Sequence, residues 1–117
     1  MFKKALQELA RSMKKYYAVR AQNIASIEGG KPNFRMPKYR KVFRPGRSYF
    51  AVDSQTPMGE HFCDHVFRSD VVKMMKRIGK EHGLHSFQEL RGNTLHFGFM
   101  VEPRGADSEI VLPKKRD

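Results

Sequence analysis

Apolar residues in the first part of the chain recur with the spacing of a single helical face. Steps of four, three, four and three residues separate them, which is the repeat of an amphipathic helix. These apolar residues are Phe2, Leu6, Leu9, Met13 and Tyr16. Two adjacent glycines, Gly29 and Gly30, then interrupt the pattern. We therefore predict a helix over residues 2–25, with a basic face that includes Lys14 and Lys15.

The pattern changes in the second part of the chain, where short apolar runs alternate with turn signals. Residues 48–54 are typical of a strand. Residues 70–82 have the spacing of a helix, and Ser69 is placed to cap its N-terminus. Residues 56–67 leave two alternatives open, because their apolar spacing fits either a strand or a helix.

The clearest strand signal lies near the end of the chain. Residues 84–91 and 94–101 flank Gly92-Asn93, a pair that favours a tight turn, and they predict a β-hairpin. Alternate residues of its second strand are assigned to the core: Leu95, Phe97, Phe99 and Val101. The residues between and after them are assigned to the opposite face: His96, Gly98, Met100 and Glu102.

The predicted fold class is α+β. It combines a basic amphipathic N-terminal helix (residues 1–28), an extended basic arm (residues 29–47) and a small α+β domain (residues 48–117). In that domain we expect one helix packed on a short antiparallel sheet. A last strand is predicted at residues 108–112, followed by a basic C-terminal tail.

The predicted arm combines basic, aromatic and proline residues. Residues 31–47 contain seven basic residues, three prolines and no acidic residue. Proline disfavours helix and biases the chain toward extended conformations. We therefore expect the arm to be poorly ordered until it is bound. If each basic residue neutralises one phosphate, log affinity for single strands falls against log salt with a slope of roughly −5.

The positive charge of the protein is concentrated in this first part. Of the formal net charge of +11, all is in residues 1–48, whereas residues 49–117 contain ten basic and ten acidic residues. A one-sided surplus indicates a polyanionic partner. Aromatic rings between the basic residues favour single strands or exposed bases. The predicted nucleic-acid-binding residues are Lys14, Lys15, Arg35, Lys38, Tyr39, Arg40, Lys41, Phe43, Arg44 and Arg47.

Cysteine content and hydropathy restrict the cellular location that we expect for the protein. Cys63 is the only cysteine among the 117 residues, so an intrachain disulfide is excluded. No run of about 18 apolar residues is present, and no apolar stretch follows the basic start. We therefore predict a cytoplasmic protein with no membrane partner.

Residues 61–65 place a cysteine between two histidines. If this segment is helical, His61 and His65 are neighbours and could share a metal ion, with His96, Asp64 or Glu60 as a further ligand. The favoured interpretation is that Cys63 is a small buried side chain and that the histidines lie at the surface. We accordingly expect no metal and no cofactor.

Other polar residues fit a nuclease. Asp53, Glu60 and Asp64 could bind a catalytic metal ion. A metal-free ribonuclease would instead use histidines as acid and base, from His82, His85 and His96. The sequence contains no glycine-rich phosphate loop and no nucleophile elbow, so we predict no catalytic residues and a binding protein rather than an enzyme.

The function predicted from the sequence is largely sequence-nonspecific binding of DNA or RNA through the basic helix and the arm. Two alternatives stay open. In the first, the chain is a structural component of a larger nucleoprotein or virion-like assembly, and the arm wraps a protein neighbour. In the second, it is a small nuclease.

Overall fold

The computed structural model describes residues 2–29 and 38–102 of the chain. Its four strands form one antiparallel sheet, and its three helices share a core with one face of that sheet. This architecture confirms the predicted α+β class. The elements in chain order are α1 (Phe2–Glu28), β1 (Arg40–Arg44), β2 (Arg47–Asp53), α2 (Pro57–Val66), α3 (Ser69–Glu81), β3 (His85–Arg91) and β4 (Thr94–Met100). The predicted strand at 108–112, the basic tail and residues 30–37 of the arm lie outside the described residues.

Helix α1 buries the predicted apolar stripe. Leu6, Leu9 and Met13 are at most 1% exposed. At the next turn Tyr17, rather than the predicted Tyr16, faces the core, because it lies four residues after Met13 on the same side of the helix. The helix continues to Glu28 and ends at Gly29, which adopts the left-handed conformation that glycine tolerates best (φ +79°).

The sheet has the strand order β1-β2-β4-β3. Strands β3 and β4 form the hairpin that the sequence predicts, with Arg91 opposite Thr94 across the Gly92-Asn93 turn. Strand β2 pairs with β4 along its full length, from Arg47 opposite Met100 to Asp53 opposite Thr94. This pairing places the strand predicted at residues 48–54 beside β4 at the centre of the sheet.

The structure differs from the predicted arm at residues 40–47. Residues 40–44 form β1, an edge strand that pairs with β2 through a turn at Pro45-Gly46. Four of the five β1 residues are exposed, so backbone pairing, rather than apolar burial, holds this strand in place. Basic residues are common on edge strands, because their charge opposes pairing with another sheet.

The ambiguous segment before α3 is helical. Thr56 caps α2, since its hydroxyl oxygen accepts a hydrogen bond from the Gly59 N–H at 2.9 Å. Proline at the first helical position favours the same start. Ser69 does not cap α3 as predicted: it is the first helical residue, and the cap position belongs to Arg68, which makes no side-chain capping bond.

The main core lies between the helices and the sheet. The β4 residues Leu95, Phe97 and Phe99 are fully buried there, as predicted. Phe97 packs against Phe50 of β2 and Phe62 of α2, with ring centroids 5.5 and 5.8 Å away. Val101 was also predicted in the core, but it follows the end of β4 and is 40% exposed.

A second, smaller cluster lies on the opposite face of the sheet. It comprises Tyr49, Ala51, Phe87 and Met100, with Val42 packed against them. These residues lie on the same face as the predicted outward residues of β4, because directly paired residues in antiparallel strands share a face. None of the helices within residues 2–29 and 38–102 has the length and apolar character needed to span a membrane.

Candidate nucleic-acid interface

Four arginines share the face of the sheet that lies opposite the helices. The register pairs Arg40 with Ala51 and Arg44 with Arg47, and it pairs Arg91 of β3 with Thr94. All of these positions belong to the face of the Tyr49 cluster. We refer to this surface, with Arg40, Arg44, Arg47 and Arg91, as the arginine face.

The centre of the arginine face is aromatic. Gly98 of β4 lies opposite both Tyr49 and Phe87, and the two rings meet edge to face with centroids 5.7 Å apart. The ring of Tyr49 also stacks on His96 at 4.6 Å. Gly98 is required for this packing, because a Cβ there would lie 2.5 Å from Tyr49 Cα.

Arg47 connects the aromatic cluster to the charged rim. Its guanidinium carbon lies 5.4 Å from the ring centroids of both Tyr49 and Phe87, which is within the range of cation–π attraction. The same guanidinium is 3.9 Å from the carboxylate of Glu89, and Glu89 pairs with Arg91 at 3.0 Å. One carboxylate therefore lies between two of the four arginines.

His96 lies among charges of both signs on this surface. Its pKa is lowered first because the imidazole is partly buried. The carboxylate of Glu89 opposes this shift, and the cations of Arg47, Arg91 and Arg40 each add a smaller lowering effect. The lowered pKa therefore reflects burial more than the charge of the surface.

Like charges also face each other at one end of the surface. Arg44 and Arg47 are direct cross-strand partners on either side of the Pro45-Gly46 turn. Opposed like charges destabilise a strand pair unless something else compensates them. Arg47 is stabilised by Glu89 and the two rings, whereas Arg44 is exposed.

The structure divides the predicted binding residues among different surfaces. Arg40, Arg44 and Arg47 lie on the arginine face. Lys41 and Phe43 lie on the other side of β1, where they pair with Phe50 and Ser48. Lys14 and Lys15 are exposed on α1, Lys38 is exposed just before β1, and Arg35 lies outside the described residues.

The ring of Tyr39 packs against the core, whereas base stacking requires an exposed ring face. Its ring packs edge to face on Phe50 at 4.6 Å and lies parallel to Phe62 at 6.3 Å. Burial raises the pKa of its hydroxyl. Tyr39 thus contributes to the core, because residue 39 precedes β1 on the helix-facing side. Phe43, 55% exposed, is the described aromatic of the arm with the most accessible ring.

Arg91 was missed by the sequence analysis. It lies in the part of the chain where basic and acidic residues balance, four residues before the core residue Leu95. The local composition therefore does not mark Arg91 as a binding residue. The signal that could have revealed it is the register of the predicted hairpin. Across the Gly92-Asn93 turn, Arg91 pairs with Thr94, which lies on the outward face with His96.

The histidine–cysteine pattern on α2 has a well-defined geometry. His61 and His65 lie one turn apart, and their Nε2 atoms are 2.9 Å from each other. Cys63 is buried, as expected, but His65 is also buried, contrary to the expectation of a surface group. Burial, the neighbouring His61 and the cations of Arg20 and Arg68 lower the pKa of His65 to about 4.

The nuclease candidates are spread over different elements. The Asp53 carboxylate accepts a hydrogen bond from the Gln55 N–H at the end of β2. His82 contacts Glu8 of α1 at 3.0 Å, and His96 is on the arginine face. Within residues 2–29 and 38–102, no three His, Cys, Asp or Glu side chains are grouped in a way that could hold a metal ion.

Comparisons with known proteins found no matching family model, no matching curated protein and no matching solved structure.

Proposed function

We propose that this protein binds nucleic acid without marked sequence preference and that the arginine face is its principal contact surface. The observation that carries the proposal is the placement of Arg40, Arg44, Arg47 and Arg91 on one face of the four-stranded sheet. Guanidinium groups bind phosphate oxygens in a forked geometry. A cytoplasmic location accompanies this proposal as a prediction from the sequence.

Phosphate contacts, rather than base stacking, dominate the proposed interaction. Tyr49 and Phe87 are only 4% and 3% exposed, so their rings do not offer free surfaces to bases. Arg47 is already engaged with both rings and with Glu89. Arg91 also pairs with Glu89, but its side chain is 55% exposed against 18% for Arg47, so it can exchange that carboxylate for a phosphate. Arg40, Arg44 and Arg91 are therefore the expected phosphate ligands. Phosphate contacts fix the position of a nucleic acid but do not read its sequence.

The salt dependence of binding tests this proposal. Three phosphate contacts predict a slope of log affinity against log salt of about −2 on single strands and about −2.7 on duplex. From 50 to 200 mM salt, affinity for single strands is then expected to fall by roughly 20-fold. Fluorescence anisotropy with labelled single-stranded and duplex oligonucleotides of mixed sequence provides the measurement.

A pair of variants locates the contacts. The double variant Arg40→Ser, Arg44→Ser is expected to flatten the single-strand slope by about 1.4, since two contacts are lost. The double variant Lys3→Ser, Lys80→Ser removes the same charge from exposed positions on α1 and α3, outside the arginine face. Equal slopes for the two double variants would contradict the proposed surface, and no measurable binding at 50 mM salt would contradict nucleic-acid binding itself.

A further inference from the structure

A cleft of about 530 Å³ lies between α1 and α3, on the helical side of the protein. Lys15, Tyr16 and Arg20 of α1 line one wall, and Asp70 and Arg77 of α3 lie opposite. Helices α1 and α3 share the main core with the sheet. The cleft and the arginine face are therefore on opposite sides of the sheet.

The cations of the cleft differ in how they are compensated. Arg77 lies 3.3 Å from the carboxylate of Glu81 and 3.8 Å from that of Glu8. No ion pair to a carboxylate is found for Lys15 or Arg20 within residues 2–29 and 38–102. Arg20 instead lies over the ring of Tyr16, 5.9 Å from its centroid. Lys15 and Arg20 thus provide positive charge without an anionic partner among these residues.

Asp70 supplies the carboxylate that lines the cleft, and this carboxylate already accepts a hydrogen bond. The hydroxyl of Tyr16 donates a hydrogen bond to Asp70 Oδ2 at 3.0 Å. Burial and the neighbouring carboxylate raise the pKa of Tyr16, so the hydroxyl keeps its proton and this bond persists at neutral pH. Because Arg77 is paired with Glu81 and Glu8, the excess positive charge of the cleft comes from Lys15 and Arg20, which face one hydrogen-bonded carboxylate; this excess suits an anionic ligand.

We propose that the α1–α3 cleft is a second phosphate-binding site, in which Lys15 and Arg20 hold a backbone phosphate of a nucleic acid. This inference rests on the proposed function, because it assigns the same ligand class to a second surface. The sheet and the helical layer separate the two sites, so one short oligonucleotide does not reach both. Each protein molecule then binds two short oligonucleotides.

The stoichiometry of binding tests the second site. Isothermal titration of the full chain with a single-stranded DNA hexamer, at 50 mM salt, is expected to show two hexamers per chain. Lys15→Glu and, separately, Arg20→Gln are each expected to reduce the ratio to one. Lys3→Glu is the matched control, since it makes the same charge change as Lys15→Glu at an exposed position of α1 outside the cleft, and it is expected to retain a ratio of two.

The outcomes separate the two proposals. A ratio of one in the unmodified chain, lost in the Arg40→Ser, Arg44→Ser variant but unaffected by Lys15→Glu, would overturn the cleft site and leave the arginine face in place. A ratio of two that persists in both cleft variants would also overturn the cleft site. Absence of binding in the unmodified chain would overturn both proposals. Thermal unfolding of each variant establishes that a lost site does not reflect a lost fold.

Discussion

Acidification is expected to destabilise this protein through His65. The side chain is 3% exposed, and its ring meets Tyr17 edge to face at 5.5 Å. Because the Nε2 atoms of His61 and His65 are 2.9 Å apart, one ring must accept the hydrogen bond that the other donates, and so at least one ring is neutral. Burial first, and then the charge of His61, keep the pKa of His65 down at about 4.

The sign and size of the effect follow from linkage between protonation and folding. The unfolded chain takes up a proton near pH 6.5, the ordinary value, whereas folded His65 resists it down to about 4. The stabilisation by neutral His65 is therefore complete above pH 6.5 and is lost as pH falls toward 4. The expected loss is about 1.4 kcal/mol at pH 5.5 and about 2.5 kcal/mol at pH 4.5. These losses are upper limits, because the solvent around the exposed His61 weakens its electrostatic effect on His65.

Urea unfolding at pH 7.0, 5.5 and 4.5 measures this loss. In His65→Gln the position no longer titrates, so the decline in unfolding free energy should be smaller than in the unmodified chain by the amounts above. His85→Gln is the control, because it removes a histidine whose side chain is exposed. If the unmodified chain and His65→Gln lose stability in parallel over this range, the reasoning about His65 is wrong.

Two packing predictions use the same unfolding measurement at pH 7. Gly98→Ala is expected to cost about 1–3 kcal/mol, because its Cβ would lie 2.4 Å from the Ser48 carbonyl oxygen. At Gly92 an added Cβ meets no atom within 4 Å, but φ is +58°; Gly92→Asn should therefore cost less than about 1 kcal/mol, because asparagine tolerates this left-handed conformation better than other side chains do. Phe97→Ala is expected to cost about 3–5 kcal/mol because the ring is fully buried. Phe43→Ala removes a ring that is 55% exposed and should cost less than about 1 kcal/mol. Similar costs for both members of either pair would contradict the packing described.

Elements marked by a regular apolar pattern and a turn sequence were predictable from the sequence. The β3–β4 hairpin has alternating apolar residues and a Gly92-Asn93 turn, and its strands lie within one residue of the predicted bounds. Strand β1 lacks such a signal, because four of its five residues are exposed and its partner β2 supplies the pairing. Helix α2 was ambiguous, because its buried residues include the polar His65, which blurs the helical repeat.

The candidate site was predictable in composition but not in arrangement. The sequence shows that the first part of the chain is basic, yet it does not show which side chains share a face. The β1–β2 register decides this, since it places Arg40 and Arg44 on one side and Lys41 and Phe43 on the other. The contribution of Arg91 depends on the strand order, which brings β3 and β1 into the same sheet.

The change from arm to sheet alters the expected thermodynamics of binding. A disordered arm loses conformational entropy when it binds, whereas β1 is already held by its pairing with β2. Three preorganised arginines then predict a salt slope of about −2 on single strands, against roughly −5 for an arm with seven contacts. The measured slope therefore discriminates between a sheet surface that binds alone and a longer basic segment that joins it. A single-strand salt slope near −2 that flattens to about −0.7 when Arg40 and Arg44 are replaced would assign the binding to the arginine face.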